Sequence, residues 1–395
     1  MDQPTSFAET RFAPLTIRGR EVLPVVQGGM GVGVSAHRLA GSVARVGAVG
    51  TISTVDLRRH HPDLMAETVN CRDKATIDRA NVVALAREIA AAQAIAGGRG
   101  MLAVNVMRAV SGYNDHVRQA CESGIDAIVV GAGLPLDLPD LTAAYPQVAL
   151  VPILSDARGI ALVVKKWARK NRLPDAIVIE HPRYAGGHLG AAKVADLNDP
   201  RFDFEQVIPA TLEFFRTMGI DEGAIPLIPA GGINSPQRVR ELFALGARGV
   251  QLGTAFAVTE EGDATPEFKA VLAGAKPEDL VEFMSVAGLP ARAVRTPWLE
   301  TYLKHLPAMQ AAAHKKLRCA LHFDCLVQCG LRDGNAAAGQ FCIDTQLASA
   351  LKGDLKKGLF FRGAATLPFG AEIRPVRDLI EFLLGPLADA AAPAT

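Results

Sequence analysis

Short apolar runs alternate with amphipathic segments over the first 256 residues of the chain. The runs are rich in Val, Ile, Leu and Ala and stay apolar at consecutive positions, which is typical of parallel strands covered on both faces. They lie at 22–26, 48–53, 101–106, 127–131, 148–154, 176–180, 226–230 and 249–252. Helix-like segments separate them, so the pattern predicts eight β-α units in an α/β fold, the (β/α)8 TIM barrel. A doubly wound parallel sheet is the alternative.

The pattern changes after residue 256, where the strand-like runs stop. Helices are predicted over 265–275, 299–318, 344–352 and 376–384, with a cysteine-containing loop at 319–342. These features divide the chain into an N-terminal extension (1–21), a barrel (22–264), a smaller, mostly helical C-terminal cap subdomain (265–385) and a flexible tail (386–395). A long polar connection at 54–79 is predicted to lie at the ligand face of the barrel.

The composition narrows the classes of function. The 395 residues carry 42 Lys+Arg against 41 Asp+Glu, and this balance argues against nucleic acid or an anionic membrane surface as the main partner. No apolar run reaches the roughly 18 residues of a membrane span, and the N-terminus lacks the apolar core of an export signal. We therefore expect a cytoplasmic protein with reduced thiols. The sequence leaves the oligomeric state open, and a homodimer is compatible with it.

Glycine-rich turns follow the first strand and the last two strands. Residues 231–232 and 253–254 end the seventh and eighth strands, where phosphate-binding barrels hold the phosphate with backbone N–H groups and a hydroxyl. Tight strand-to-helix packing is the structural alternative. Residues 31–36 also fit the dinucleotide fingerprint G-x-G-x-x-A, with Asp56 about 20 residues further on. A Rossmann domain is the weaker interpretation, because it leaves six further β-α units unexplained.

One imidazole, that of His188, ends a glycine turn after the sixth strand. Gly186 and Gly187 precede it and let the backbone approach a ligand closely. A titratable side chain just past the C-terminal end of a strand is where a barrel enzyme keeps its chemistry, although a surface histidine in a loop has the same sequence. Asn105 ends the third strand and can hydrogen-bond a heterocycle or cap a helix. Asp156 is in the same way a candidate site residue or a helix cap.

Four of the six cysteines share one loop: Cys319, Cys325, Cys329 and Cys342. Their spacing lacks the paired C-x2-C knuckles typical of zinc and iron–sulfur sites. Neighbouring leucines and phenylalanines favour an apolar cluster in which the thiols pack as small hydrophobes. His314 and His322 are further candidate ligands but are more typical of solvated helix positions. We therefore predict no metal site, and we assign no role to five further histidines: His37, His60, His61, His116 and His305.

Four motifs together carry a resemblance: QGGMG (27–31), AGGHLG (185–190), PAGGI (229–233) and QLGT (251–254). Residues 22–256 resemble the nitronate monooxygenase (2-nitropropane dioxygenase) family of FMN-dependent barrel enzymes. That family also includes NADH:quinone reductases and flavin-dependent enoyl-acyl-carrier-protein reductases. The resemblance implies FMN as the cofactor and His188 as the catalytic residue. The residues it implies at the flavin are Gly28, Gly29, Met30, Asn105, His181, Gly186, Gly187, Gly231, Gly232, Gln251, Leu252, Gly253 and Thr254.

The chain departs from the family where the family often has Gln-Gly-x-Glu before Ala-Gly-Gly-His. Here the four residues are His181, Pro182, Arg183 and Tyr184. His181 therefore replaces a flavin-contacting amide, and Tyr184 replaces the acid. These changes affect the expected reaction more than the expected cofactor.

The resemblance implies an oxidoreductase that oxidises alkyl nitronates with O2 to a carbonyl compound and nitrite. His188 would act as the base on a nitroalkane or as a cation that holds the nitronate, and a ring that titrates near neutrality suits either role. The alternative is an enzyme in which NAD(P)H reduces FMN and the flavin reduces a quinone or an enoyl thioester. A non-enzymatic flavin-binding sensor would leave the reactive imidazole unexplained.

Overall fold

The computed structural model of the chain describes residues 12–315, 319, 321 and 323–385. Its strands are β1 (Leu15–Ile17), β2 (Arg20–Val22), β3 (Val25–Gln27), β4 (Val49–Ser53), β5 (Met101–Met107), β6 (Ala127–Gly131), β7 (Ala149–Leu154), β8 (Ile177–Glu180), β9 (Gly187–His188), β10 (Leu227–Ala230), β11 (Val250–Leu252), β12 (Leu280–Met284) and β13 (Pro290–Val294). Its α-helices are α1 (His37–Val46), α2 (Pro62–Thr68), α3 (Lys74–Ala96), α4 (Tyr113–Glu122), α5 (Leu138–Leu141), α6 (Ala157–Ala168), α7 (Phe204–Thr217), α8 (Pro236–Ala244), α9 (Thr254–Ala257), α10 (Pro266–Gly274), α11 (Pro297–Ala311), α12 (Gly330–Asp333), α13 (Ile343–Leu351) and α14 (Val376–Leu384).

Eight parallel strands of the described chain close into a barrel in the order β3-β4-β5-β6-β7-β8-β10-β11, and β11 pairs with β3. This arrangement confirms the predicted (β/α)8 TIM barrel and excludes the doubly wound sheet, because a closed barrel has no edge strands. The strands are apolar at consecutive positions because successive side chains point to opposite faces of the sheet, and each face packs into a different apolar core. Val129 and Val151 fill the barrel interior, whereas Ile128 and Leu150 pack beneath the helices.

A hairpin of β1 and β2 lies against the interior core of the barrel. Leu15, Ile17 and Val22 are buried and join the same apolar cluster as Val26. The predicted first strand, 22–26, is therefore displaced from the observed β3. The reason is that Val22 pairs with Leu15 in the hairpin and does not continue into the barrel strand.

The region after the barrel contains a small sheet as well as helices. β12 and β13 form an antiparallel hairpin, and β13 also pairs with β9, the two-residue strand that carries His188. The predicted mostly helical subdomain thus includes a hairpin that the sequence pattern missed. The helix predicted at 376–384 is α14, whereas the one predicted to reach residue 318 ends at Ala311.

The two parts of the chain share one apolar core, to which Leu299, Phe341 and Ile380 belong together with residues of the barrel. The predicted boundary at residue 264 stays a prediction. Most of the predicted N-terminal extension (residues 1–11), the predicted tail (386–395) and His322 lie outside the described residues. In the described part of the chain, no helix has an apolar stretch long enough to cross a bilayer.

Candidate functional site

A cavity of about 630 Å³ lies at the C-terminal ends of the barrel strands. This volume is typical of sites that bind drug-sized ligands and cofactors. The cavity brings together His188 and all the residues predicted at the flavin except His181: Gly28, Gly29, Met30, Asn105, Gly186, Gly187, Gly231, Gly232, Gln251, Leu252, Gly253 and Thr254. The position of this cavity is the one at which TIM-barrel enzymes place their active sites.

Two glycine turns form one end of the cavity. Gly231 and Gly232 adopt φ angles of 101° and 75°, a backbone region that side-chain-bearing residues rarely enter. Thr254 begins α9, where the first backbone N–H groups have no partner within the helix. Its Oγ1 accepts a hydrogen bond of 3.0 Å from the N–H of Gly363. These turns present a cradle of backbone N–H groups suited to a phosphate.

The residues lining the cavity include no Lys or Arg in the described chain. A buried cation belongs to the segment that contacts Thr254, since Arg362 is only 2% exposed and precedes Gly363. Its guanidinium donates to the carbonyl oxygens of Leu272, Gly363 and Ala365 (2.7–3.1 Å). Arg362 therefore fixes the segment that touches Thr254 and places a positive charge near the predicted phosphate position.

The turn after β3 forms a bare backbone wall beside Asn105. A Cβ on Gly29 would lie 2.3 Å from Asn105 Cβ, so only glycine fits there. The preceding Gln27 is buried and does not line the cavity. Its carboxamide donates to Thr51 O (3.1 Å) and accepts from Thr51 N–H (2.8 Å), which ties β3 to β4.

The turn that carries His188 is braced from outside the barrel. Gly187 and His188 pair with Arg292 and Ala291 of β13. The guanidinium of Arg292 is buried, donates to the carbonyl oxygens of Pro182 and Ala185, and forms an ion pair of 2.5 Å with Glu282. The backbone of the predicted catalytic residue is thus held by the hairpin of the C-terminal region.

The Nε2 atom of His188 is buried and has no hydrogen-bond partner among the described residues. Its ring centroid lies 5.6 Å from that of Phe361. Burial lowers the pKa of His188 to about 4, so the ring is neutral at physiological pH. The expectation that this ring titrates near neutrality is therefore not met in the structure, and the neutral ring fits the role of a base better than that of a cation.

The strand that precedes this turn places in the cavity a residue that belongs to none of the sequence motifs. Val178 belongs to the interior core, and Glu180, two positions on, lines the cavity. Burial raises the pKa of Glu180 to about 7, and a hydrogen bond from the N–H of Gly190 partly offsets that effect. Strand periodicity is the signal that could have identified Glu180, since alternate residues face the same side.

The same periodicity turns His181 away from the cavity, so the structure does not place it where the resemblance implies. Its ring packs edge-on against Phe204 and Tyr184, and its Nε2 lies 3.2 Å from Asp203 Oδ1. Tyr184 does line the cavity. It packs against the phosphate turn, because a Cβ on Gly232 would lie 2.9 Å from Tyr184 Cγ.

Two alternatives from the sequence are resolved by hydrogen bonds. The helix after the dinucleotide-like fingerprint has its first N–H groups occupied by the carboxylate of Asp263, which accepts from Ala36, Arg38 and Leu39 (2.7–3.1 Å). A pyrophosphate therefore has no place at this helix. Asp156 caps α6 by accepting from Gly159 N–H (2.7 Å), and it also lines the cavity.

The cysteine-containing loop and α13 also contribute to the cavity. Cys325 of the loop and Asp344 of α13 line it, and Asp344 pairs with Arg59 of the barrel at 2.5 Å. Burial and the charge of Asp56 raise the pKa of Asp344 to about 7. Burial raises the pKa of Cys325, so its thiol is uncharged. In the part of the chain that the structure describes, no group of three His, Cys, Asp or Glu side chains could hold a metal ion.

The residues of the cavity fit FMN on three counts. The turns at 231–232 and 253–254 provide a phosphate cradle, and Arg362 belongs to the segment that contacts it. The wall at Gly29 has no room for a side chain and leaves backbone exposed to a flat ring. The unpartnered Nε2 of His188 provides a proton-accepting group inside the same space. This set of groups is therefore suited to a flavin, with an imidazole in the same cavity.

Comparisons with known proteins agree with this geometry. A probable nitronate monooxygenase of Bacillus subtilis is 26% identical over 285 residues, which cover 70% of this chain and 78% of that protein. A probable nitronate monooxygenase of Staphylococcus saprophyticus is 26% identical over 188 residues, covering 47% of this chain and 49% of that protein. The chain thus spans about half the length of the Staphylococcus relative.

Solved structures show the same fold. FabK from Thermotoga maritima superposes with a TM-score of 0.62 at 22% identity, covering 91% of each chain. The structure titled nitroalkane oxidase from Streptomyces ansochromogenes superposes with a TM-score of 0.61 at 18% identity, covering 91% of this chain and 94% of that one. The family model described as nitronate monooxygenase matches residues 18–385. The chain therefore belongs to the nitronate monooxygenase family of flavin-dependent oxidoreductases.

Proposed function

We propose that this protein binds FMN in the cavity and oxidises nitroalkanes through their nitronates, with O2 as co-substrate, to a carbonyl compound and nitrite. The observation that carries the proposal is the unpartnered, buried Nε2 of His188 in a cavity walled by glycine turns. The resemblance of the four motifs and the names of the relatives support the substrate class. A cytoplasmic location belongs to the same proposal.

The residues have separable tasks in this reaction. The turns at Gly231–Gly232 and Gly253–Thr254 would hold the phosphate, and the wall at Gly29 would face the ring. When bound, FMN would supply the oxidation–reduction chemistry. The protein supplies position, a dry environment and a group that moves a proton.

His188 would accept the proton that leaves the carbon bearing the nitro group. Only the neutral imidazole can accept a proton, and a pKa of about 4 keeps the ring neutral across the physiological range. Proton transfer would create a nitronate anion beside an imidazolium cation, and their attraction in a buried site offsets the cost of charging the ring. The pairing of His188 with β13 keeps the ring in place during this transfer.

A comparison of two substrate forms tests the role of His188. His188→Ala should retain FMN and lose about 10² to 10⁴-fold in turnover of neutral nitroethane, because the proton acceptor is gone. The same variant should keep most of its turnover of preformed ethylnitronate, which has already lost the proton. Exposed His305 provides the control, and His305→Ala should match the wild-type enzyme on both substrates.

The outcomes separate the possible roles. Equal losses on nitroethane and ethylnitronate would show that His188 positions the substrate and is not the base. Unchanged turnover on both would remove His188 from the reaction. A protein that takes up no FMN, followed by the flavin absorption spectrum, would refute the proposal as a whole.

A second candidate function is supported by the shape of the cavity. Its lining also includes the apolar side chains of Met107, Val110, Phe323 and Leu326, which would accommodate a bulky acceptor. In this alternative, NAD(P)H would reduce FMN, and a quinone or an enoyl thioester would accept the electrons. Anaerobic bleaching of the flavin by NADH or NADPH, with none by ethylnitronate, would favour this reductase.

A further inference from the structure

One part of the cavity carries a buried imidazole, that of His116, which the proposed reaction does not use. This part, here called the α4 lobe, is bounded by Met107, Val110, Gly112, His116, Phe323 and Leu326. Two chain segments close it. Val110 forms a β-bridge with Leu326, and the N–H of Ser111 donates to Cys325 O (3.0 Å). The lobe therefore joins the loop after β5 to the cysteine-containing loop.

His116 is the unpartnered polar group of the α4 lobe. The residue is 9% exposed, and its Nδ1 is buried without a hydrogen-bond partner among the described residues. The ring lies over Gly112, since a Cβ there would be 3.2 Å from His116 Cε1. Burial lowers the pKa of His116 to about 4. The neutral ring carries one donor and one acceptor, so it can hydrogen-bond an uncharged group.

The start of α4 leaves His116 as the group that can bind a ligand. Gly112 is the N-cap and has no side-chain cap, and the first helical N–H, that of Tyr113, already donates to Val110 O (3.4 Å). A buried polar atom without a partner is unfavourable, and a ligand that supplies the partner recovers part of this cost.

The surroundings restrict the chemistry of that ligand. Met107, Val110, Phe323 and Leu326 make the walls apolar, and no Lys or Arg of the described chain lines the cavity. Asp78 does line it, and it is paired with Lys74. An anionic group would meet no cation there, whereas an uncharged hydroxyl or carbonyl meets a donor and an acceptor on His116.

We propose that the α4 lobe is a recognition subsite, in which His116 binds the uncharged hydroxyl or carbonyl end of an elongated apolar substrate. The other end of that substrate would react at His188. The inference rests on the proposed function for the position of the reacting end. It adds a substrate class, namely alkyl compounds with a polar end opposite the reacting carbon.

A series of paired substrates tests the subsite. Each pair has a linear 1-nitroalkane and its ω-hydroxy derivative of equal chain length, from nitroethane to 1-nitrodecane. At the length that spans the cavity, the wild-type enzyme should prefer the hydroxylated compound about fivefold to tenfold in kcat/KM, with most of the difference in KM. His116→Phe keeps a ring and removes the hydrogen bond, so the preference should fall to about one.

Controls address folding and specificity. His116→Gln retains a donor and an acceptor and should restore part of the preference, whereas exposed His305→Phe should leave it at the wild-type value. If His116→Phe does not fold, as judged by flavin content and circular dichroism, His116→Leu takes its place. A wild-type enzyme without any preference along the series, or a folded His116→Phe variant that keeps it, would overturn the subsite.

A failure of the proposed function can be told apart from a failure of the subsite. If the wild-type protein oxidises no nitroalkane, FMN-loaded protein is titrated with linear 1-alkanols by calorimetry. An alkanol that binds the wild-type protein at least about fivefold more tightly than His116→Phe would support the subsite without the reaction. Equal dissociation constants would refute it.

Discussion

The effect of Glu180 on the pH dependence of stability gives a direct test of how far water is excluded from the cavity. The side chain is half-buried at the end of β8, lines the cavity, and has a hydrogen bond from Gly190 N–H. Glu180→Gln preserves the shape and the acceptor oxygen and removes only the ability to ionise. The substitution therefore isolates the cost of a charge at this position.

The expected magnitude follows from the two pKa values. Burial raises the pKa of Glu180 from 4.5 to about 7, which corresponds to about 3 kcal/mol at about 1.4 kcal/mol per pKa unit. Between these two values the unfolded chain loses the proton while the folded chain keeps it. The free energy of unfolding of the wild-type protein therefore falls as the pH rises through this window. The Gln variant lacks this dependence, so its advantage over wild type should grow to about 3 kcal/mol by pH 8.

Urea unfolding of the two flavin-free proteins at pH 4.5 to 8.5, followed by the fluorescence of buried Trp167, measures the difference. Asp344, whose pKa is also raised to about 7, is present in both proteins, so its contribution cancels in the comparison. Equal m-values, the slopes of the free energy of unfolding against urea concentration, would show that the two unfolding transitions are comparable. A stability difference that stays constant with pH would refute the reasoning, because it would mean that the Glu180 carboxylate is well solvated.

Two further predictions concern the walls of the site. Gly29→Ala would place a Cβ 2.3 Å from Asn105 Cβ and should reduce the affinity for FMN at least about tenfold by flavin-fluorescence titration, whereas Gly274→Ala, with nothing within 4 Å of the new Cβ, should bind FMN normally. Arg292→Met removes the hydrogen bonds to Pro182 O and Ala185 O and should cost about 1–3 kcal/mol of stability and lower the turnover, measured by urea unfolding and nitroethane oxidation. Replacing exposed Arg118 by Met is the matched control, and an equal effect of the two substitutions would contradict the proposed brace.

The barrel could be predicted because its strands are buried on both faces and therefore leave continuous apolar runs in the sequence. That signal locates β6 at its observed bounds, Ala127–Gly131. The same signal misplaces the start of β3, because the apolar Val22 belongs to the β1–β2 hairpin and not to the barrel strand. It also fails at β12, which is mostly only partly buried, and at β13, where the buried Arg292 interrupts the apolar residues.

The glycine turns of the site were predictable for a different reason. A positive φ or a close backbone approach restricts a position to glycine, so Gly231 and Gly232 are visible in the sequence alone. The direction in which a side chain points leaves no comparable signal in the sequence. His181 and Glu180 are neighbours, and only the register of the strand shows that the carboxylate faces the cavity and the imidazole does not. The low pKa of His188 was equally hidden, because it depends on burial by distant residues such as Phe361.

The C-terminal region matters to this site because it holds in place the glycine turn that carries His188. The glycines before His188 make this turn conformationally flexible. Fixing a flexible turn in one conformation costs conformational entropy. The backbone pairing with β13 and the guanidinium of Arg292 supply the fixing interactions. Phe361 covers the ring of His188, and Gly363 donates to Thr254 in the phosphate cradle. Sequence changes between residues 280 and 368 can therefore alter the substrate and the reactivity of His188 while the barrel stays unchanged, so members of one family with the same flavin cradle can differ in what they oxidise.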